Sequence, residues 1–267
     1  MSSFRAACFP AKGGPGQDRW AVFENCAFVL DGASSFTPAA VNAERFVDTL
    51  VADLSDALAK PAIPLRSALK QAIRSSSMLL DLTPGNSPSS TIILLRQSPS
   101  ELELLVLGDS TAIIGTTDRK ERRLTDDRLA SIASDKRETY RSRLRAGYGY
   151  DSVHRQLLKE LQEKQISARN TPGGYWIAEA DPSAADKALS YTMPINDVKW
   201  CVLATDGAQR VIDHLGIPWS RIAAMTSEEL ANQLEELYRW ESVEDPMGIL
   251  LPRAKMHDDK TVVVFQP

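Results

Sequence analysis

Between residues 91 and 117 three apolar, β-rich runs follow one another with almost nothing between them: TIILLR (91–96), ELELLVL (101–107) and TAIIGTT (111–117). The gaps, 97–100 and 108–110, suit tight turns and are far too short for the dozen or more residues of a parallel crossover. The stretch therefore reads as an antiparallel meander and argues against a doubly wound parallel sheet. The rest of the pattern agrees. WAVFE (20–24) and CAFVLDG (26–32) flank the turn former Asn25, and strands return at YWIAE (175–179), ALSYTM (188–193), KWCVLATDG (199–207) and TVVVF (261–265). Thr37-Pro38 reads as N-cap and first position of a helix carried to about Lys60 by Val47, Leu50, Val51, Leu54 and Leu58. A second helix runs from about Leu65 to Leu82, opened by Pro64 and closed by TPGNSPSS (83–90), and one or two more occupy about 218–243. Strands and helices cluster rather than alternate, so the expected class is α+β. With no internal repeat and no linker, residues 1–267 read as one domain.

Composition narrows the function. The chain has 267 residues, a formal charge of -4, 43% hydrophobic and 25% charged residues, enough to bury a core without staples. No apolar run reaches the roughly 18 to 20 residues of a membrane span. The opening MSSFRAACFPAKGG lacks the apolar stretch of a signal peptide. Mild acidity argues against a nucleic-acid partner. Cys8, Cys26 and Cys201 are odd in number and far apart, which suggests free thiols in a reducing cytoplasm rather than a disulfide framework or a zinc site. Residues 119–155 depart from the average, with nine Arg and two Lys against six acidic residues. A solvated helical face is the first reading of that stretch, and Coulomb steering of a phosphorylated partner the second.

The apolar runs share an ending. FVLDG (28–32), LLVLGD (104–109) and WCVLATDG (200–207) each finish on Asp and Gly, and His257-Asp258-Asp259-Lys260 leads into the last strand. A strand end aims a carboxylate from the rim of a rigid sheet, where its charge is costly unless solvated, hydrogen-bonded or bound to a cation. Several converging Asp groups would form the oxygen-rich cage that Mg²⁺ and Mn²⁺ prefer. Asp-Gly is also an ordinary turn dipeptide, so spacing alone leaves structural and metal-binding readings open.

In order, Gln17-Asp18-Arg19, Asp31-Gly32, Ser90-Thr91, Gly108-Asp109-Ser110, Asp206-Gly207 and Asp258-Asp259-Lys260-Thr261 resemble the metal-dependent protein phosphatases of type 2C (PPM). The resemblance spans residues 17 to 265. It implies a four-layer α-β-β-α sandwich of two antiparallel sheets flanked by helices. It also implies two Mn²⁺ or Mg²⁺ ions per site and hydrolysis of phosphoserine or phosphothreonine on proteins by a water bridged between the cations. By resemblance, Asp31 bridges the metals with the Gly32 carbonyl on one of them, Asp206 and Asp258 are the other direct ligands, and Asp18 acts largely through water. Asp109 matches a position serving a weaker third metal, and the charged stretch of about 118–170 matches a variable flap. The implied partner is a phosphorylated protein, a Ser/Thr kinase or its targets included.

The departures are specific. The arginine expected five residues before Asp18 is Gly13, which leaves Lys12, Arg19 and Arg210 as phosphate-binding candidates. Ala33 replaces a histidine proposed as general acid, with His257 a minor substitute. Arg210 replaces a third-metal aspartate and Asp259 replaces an asparagine, while Gln17 stands where Glu is common. The alternative is a pseudophosphatase that binds a phosphorylated partner without turnover. A haloacid dehalogenase-like phosphatase would need a second acid at Ala33 and a parallel fold, and ranks behind both.

Overall fold

The structure, a computed structural model, describes residues 3–11, 16–33, 41–60 and 63–267. The chain begins with β1 (Ser3–Phe9), β2 (Asp18–Val22), β3 (Cys26–Ala33), α1 (Ala43–Leu58) and α2 (Leu65–Leu79). It continues through β4 (Ser89–Gln97), β5 (Glu101–Leu107), β6 (Thr111–Thr116), β7 (Glu121–Leu124), α3 (Arg128–Ser131), α4 (Ser134–Arg145) and α5 (Ser152–Ala168). The last part holds β8 (Leu189–Pro194), β9 (Val198–Ala204), α6 (Asp206–His214), α7 (Trp219–Ala224), α8 (Ser227–Val243) and β10 (Lys260–Gln266). Two sheets result, ordered β1-β10-β9-β6-β7 and β2-β3-β4-β5-β8, with every neighbouring pair antiparallel.

β3 shows why the fold has four layers. Its run Ala27-Phe28-Val29-Leu30 has no polar break, and all four residues are buried. The period of two divides them between two cores. Phe28 and Leu30 pack with Phe46, Leu50, Leu69 and Ile73 of α1 and α2. Ala27 and Val29 face the other sheet and its Val263 and Phe265. A strand covered on both faces needs no alternation of polarity. Beyond the second sheet, Val202, Val262 and Val264 lie under Val211, Ile222, Leu234 and Leu237 of α6, α7 and α8. The order is helices, sheet, sheet, helices, as the resemblance implied.

Several expectations need correction. The runs at 91–117 are not one meander. β4 pairs with β5, but the chain crosses at 108–110 to the other sheet, where β6 pairs with β7 and β9. β1 and β7 escaped notice because they are edge strands, mostly polar or half-exposed, which removes the periodic signal. YWIAE makes isolated bridges, Ser90 to Ala178 and Arg169 to Tyr175, rather than a ladder. Helix α6 begins at Asp206, inside the run assigned to strand, and α2 stops at Leu79. Helix α1 starts at Ala43, where the Asn42 side chain accepts from the Arg45 N–H at 2.9 Å. Thr37-Pro38, Lys12 and Gly13 lie outside the described residues. Within the charged stretch, Tyr140, Leu144, Leu158 and Leu161 of α4 and α5 form a small core of their own.

Candidate metal centre

Strand register assembles the first half of the site. Asp18 on β2 stands directly opposite Asp31 on β3, and Asp31 stands opposite Thr91 on β4. Directly opposed residues project from the same face of a sheet. Gly108 opens the crossing between the sheets with φ +90°, and a Cβ there would lie 2.8 Å from the Thr91 side chain, so glycine is required twice over. Thr91 Oγ1 and Ser110 Oγ, 2.6 Å apart, tie the crossing down and fix Asp109 between them at the sheet rim.

The other sheet supplies the second half. Thr205 follows β9 in extended conformation, which makes Asp206 the first residue of α6. A Cβ on Gly207 would collide with the Asp259 carbonyl oxygen, so the Asp206-Gly207 turn and the segment before β10 touch backbone to backbone. Thr205 is fully buried and joins the halves: its Oγ1 donates to Asp18 Oδ2 at 2.9 Å and accepts from the Thr261 N–H at 3.0 Å.

The carboxylates feel one another. Burial, then the charges of Asp18, Asp206, Asp258 and Asp109, push Asp31 well above the usual carboxylate range. Burial and Asp259 push Asp18 up to about 8, and burial and Asp206 push Asp109 up to about 7. Asp258 is also raised by burial, against the opposing Lys255 ammonium 3.0 Å from its Oδ1. The structure thus brings together Asp18, Asp31, Asp109, Asp206 and Asp258. Among the described residues no three acidic, His or Cys side chains close on a single point. Like charges keep apart, and a hard divalent cation would turn that repulsion into shared bonds. Among the described residues Asp18 Oδ1 is buried without a hydrogen-bond partner, an orphan of the kind an ion or its water satisfies. The all-oxygen donor set fits Mg²⁺ or Mn²⁺.

The remaining candidates divide. Arg19 donates to Asp48 at 2.6 Å and to the carbonyls of Gly16 and Asp18, clasping β2 to α1. Arg210 stands 3.7 Å from Asp206, its side chain about a third exposed. Asp259 accepts from the N–H groups of Ala11 and Gln17 at 2.7 and 2.5 Å, a task for two acceptors that an asparagine could not repeat. His257 stacks on Tyr238 with centroids 4.0 Å apart and bonds Glu241 of α8, so it faces the helix. Sequence reasoning missed Thr205, Lys260 and Glu241. Lys260 is fully buried, and its Nζ donates to Glu241 Oε2 at 2.8 Å and to the Asp258 carbonyl at 3.0 Å. Thr205 had one signal, its place before Asp206-Gly207. Glu241 had only its position on the apolar face of α8.

The profile of the family described as Protein phosphatase 2C matches residues 10–247. The chain belongs to that family. The 2C family is one of phosphoprotein phosphatases, and the chain is such an enzyme by membership. Solved structures agree on the fold. Stp1 from Staphylococcus aureus superposes with a TM-score of 0.61 at 12% identity, over 100% of this chain and 95% of that one. The Mycobacterium tuberculosis serine/threonine phosphatase PstP/Ppp gives 0.57 at 13%, over 99% and 98%. The catalytic domain of PstP in complex with two manganese ions gives 0.53 at 14%, over 100% and 99%. In sequence, no curated protein matches this 2C phosphatase. Among its described residues no helix is long and apolar enough to cross a membrane.

Proposed function

We propose that the chain hydrolyses phosphoserine or phosphothreonine on proteins with two divalent cations held by Asp31, the Gly32 carbonyl, Asp206 and Asp258. The carrying observation is the gathering of four carboxylates, Asp18, Asp109, Asp206 and Asp258, from both sheets around Asp31. PstP, of the same fold, binds two manganese ions. When bound, the cations supply Lewis acidity, lowering the pKa of a water and offsetting charge on the phosphoryl group. Asp31, which feels the charges of Asp18, Asp206, Asp258 and Asp109, would be the ligand common to both cations. Thr205 fixes Asp18 through Oδ2, which leaves Oδ1 to orient water. Lys255 and Lys260 hold Asp258 from its side chain and from its backbone. Ala33 has no proton to give and His257 is engaged with α8, so the leaving oxygen takes its proton from solvent.

Residues 1–267 form one domain in this reading, with about 118–170 as a flap beside the site. The three free cysteines fit a reducing, cytoplasmic setting. Phosphorylated proteins, kinases and their targets among them, are the substrates. Purified protein should cleave an aryl phosphate with Mn²⁺ and stop when chelator is added. Asp31→Asn should lower that rate more than the roughly 10–100-fold typical of an outer-shell partner. A near-native rate in this variant would sink the assignment. Manganese binding without any turnover would instead favour the pseudophosphatase.

A further inference from the structure

We propose that Arg137 of α4 and Arg210 of α6 form a paired-guanidinium subsite beside Asp109 that binds the phosphoryl oxygens of the substrate. This rests on the phosphatase reading and names the groups that recognise the anion. The charged stretch is anchored where such a subsite requires it. At its root the Asp126 N–H donates to the Gly108 carbonyl at 3.3 Å and Thr125 Oγ1 to the Asp109 carbonyl at 3.2 Å. At its far side His154 Nε2 bonds the Ala254 carbonyl at 2.8 Å, next to the segment whose Pro252 carbonyl meets Arg210 Nη2 at 3.4 Å. Helix α4 lies between these anchors. Arg137, one turn from Tyr140 on the same face, feels the charges of Asp109 and Arg210, and Arg210 in turn feels Asp109 and Tyr140.

Neither guanidinium is used up. Arg137 commits Nη2 to the Leu129 carbonyl at 2.9 Å, while its Nε is buried with no partner among the described residues. Among the described residues Arg210 has only long contacts, 3.7 Å to Asp206 and 3.4 Å to Pro252. Two cations held within reach of each other repel, and an anion between them relieves that repulsion. A phosphate monoester suits the planar fork of arginine, which bonds phosphate oxygens in pairs. The two guanidiniums supply the phosphate-binding charge that the Gly13 position lacks in sequence.

The test measures inhibition by inorganic phosphate, KM for an aryl phosphate, and calorimetric phosphate binding in Mn²⁺, for wild type, Arg137→Ala, Arg137→Lys and Arg210→Ala. Each alanine variant should weaken phosphate and raise KM about tenfold or more, the size of a lost charged hydrogen bond, with manganese affinity within about twofold of wild type. Arg137→Lys should recover part of the loss, keeping charge but not the fork. If Arg137 only braces the Leu129 turn, Arg137→Ala will lower the melting temperature and leave phosphate binding unchanged, which overturns the proposal. Phosphate binding unchanged in both alanine variants also overturns it. If wild type binds phosphate with Mn²⁺ but turns nothing over, the phosphatase reading fails. The subsite then stands or falls on the same binding data.

Discussion

Lys260→Met is the sharpest probe of what holds the centre from beneath. Lys260 and Glu241 are 0% and 2% exposed, with Nζ and Oε2 2.8 Å apart. Methionine fills a similar volume, so the loss is one of charge and hydrogen bonds rather than of packing. Removing one partner of a buried ion pair costs about 3–5 kcal/mol, because the other charge stays buried. Glu241 keeps His257 Nδ1 at 3.0 Å and Arg253 Nε at 3.6 Å, which places the expected loss near the lower figure. At about 2–4 °C per kcal/mol for chains somewhat shorter than this one, the melting temperature should fall by about 6–12 °C. The Asp258 carbonyl loses its donor in the same stroke, so the manganese needed for half-maximal rate should rise about tenfold. Thermal and guanidinium denaturation read the first effect and a manganese activation curve the second. Adding Glu241→Gln should cost less than the sum of the two single changes, since it removes the orphaned charge. A single variant that melts within about 2 °C of wild type with an unchanged activation curve would refute the reasoning.

Gly207→Ala should cost about 1–3 kcal/mol and reduce the manganese-supported rate, because the new Cβ drives into the Asp259 carbonyl; a denaturation midpoint checks it. Asp259→Asn should lower stability by about 1 kcal/mol in guanidinium unfolding, since the amide can accept for only one of Ala11 and Gln17. Chelated protein should lose stability as pH rises, and manganese should cancel the loss. The raised Asp18 carboxyl contributes fully below its unfolded value near 4 and loses that contribution as pH passes about 8, so melting curves at pH 6 and pH 9, with and without metal, decide. The Asp213 carboxyl behaves oppositely. Burial pushes it up, but bonds from Arg123, Trp219 and Gln209 outweigh burial and hold it low, so its contribution is present above the unfolded value and lost in acid. Asp213→Asn should therefore flatten the acid limb of the stability curve.

The sequence announced most clearly what local chemistry alone could decide. The runs of β3, β4, β5, β6, β9 and β10 and the helix face of Val47, Leu50 and Leu54 follow from period and fall where expected, whereas YWIAE forms no ladder, Asp31-Gly32 lies within β3 and Asp206-Gly207 opens α6. What depended on partners far along the chain did not show. The crossing at 108–110 looks like any short turn, and only the pairing of β6 with β9 reveals a change of sheet. Glu241 reads as one acid among several on α8, and its burial depends on Lys260 and Arg253 arriving from the C-terminal segment. Arg137 sat within a basic stretch read as a solvated face. Tyr140 and Leu144 bury part of α4, which leaves Arg137 half-buried, where it feels the charge of Asp109.

Charge connects these pieces. Asp18, Asp31, Asp109, Asp206, Asp258 and Asp259 are six carboxylates in one neighbourhood, and Lys255, Arg210 and Arg137 are cations they feel. Fully ionised, that group carries three negative charges, and two divalent ions would change the balance to one positive. A phosphate monoester near neutral pH brings about -1.5 to -2, much of which such a site offsets. With an aspartate at position 210 the balance would be two charges lower, and a further divalent ion would restore it. Arginine there would supply part of the positive charge that such an ion supplies. Arg210 therefore puts positive charge on the α6 side of the centre, 3.7 Å from Asp206.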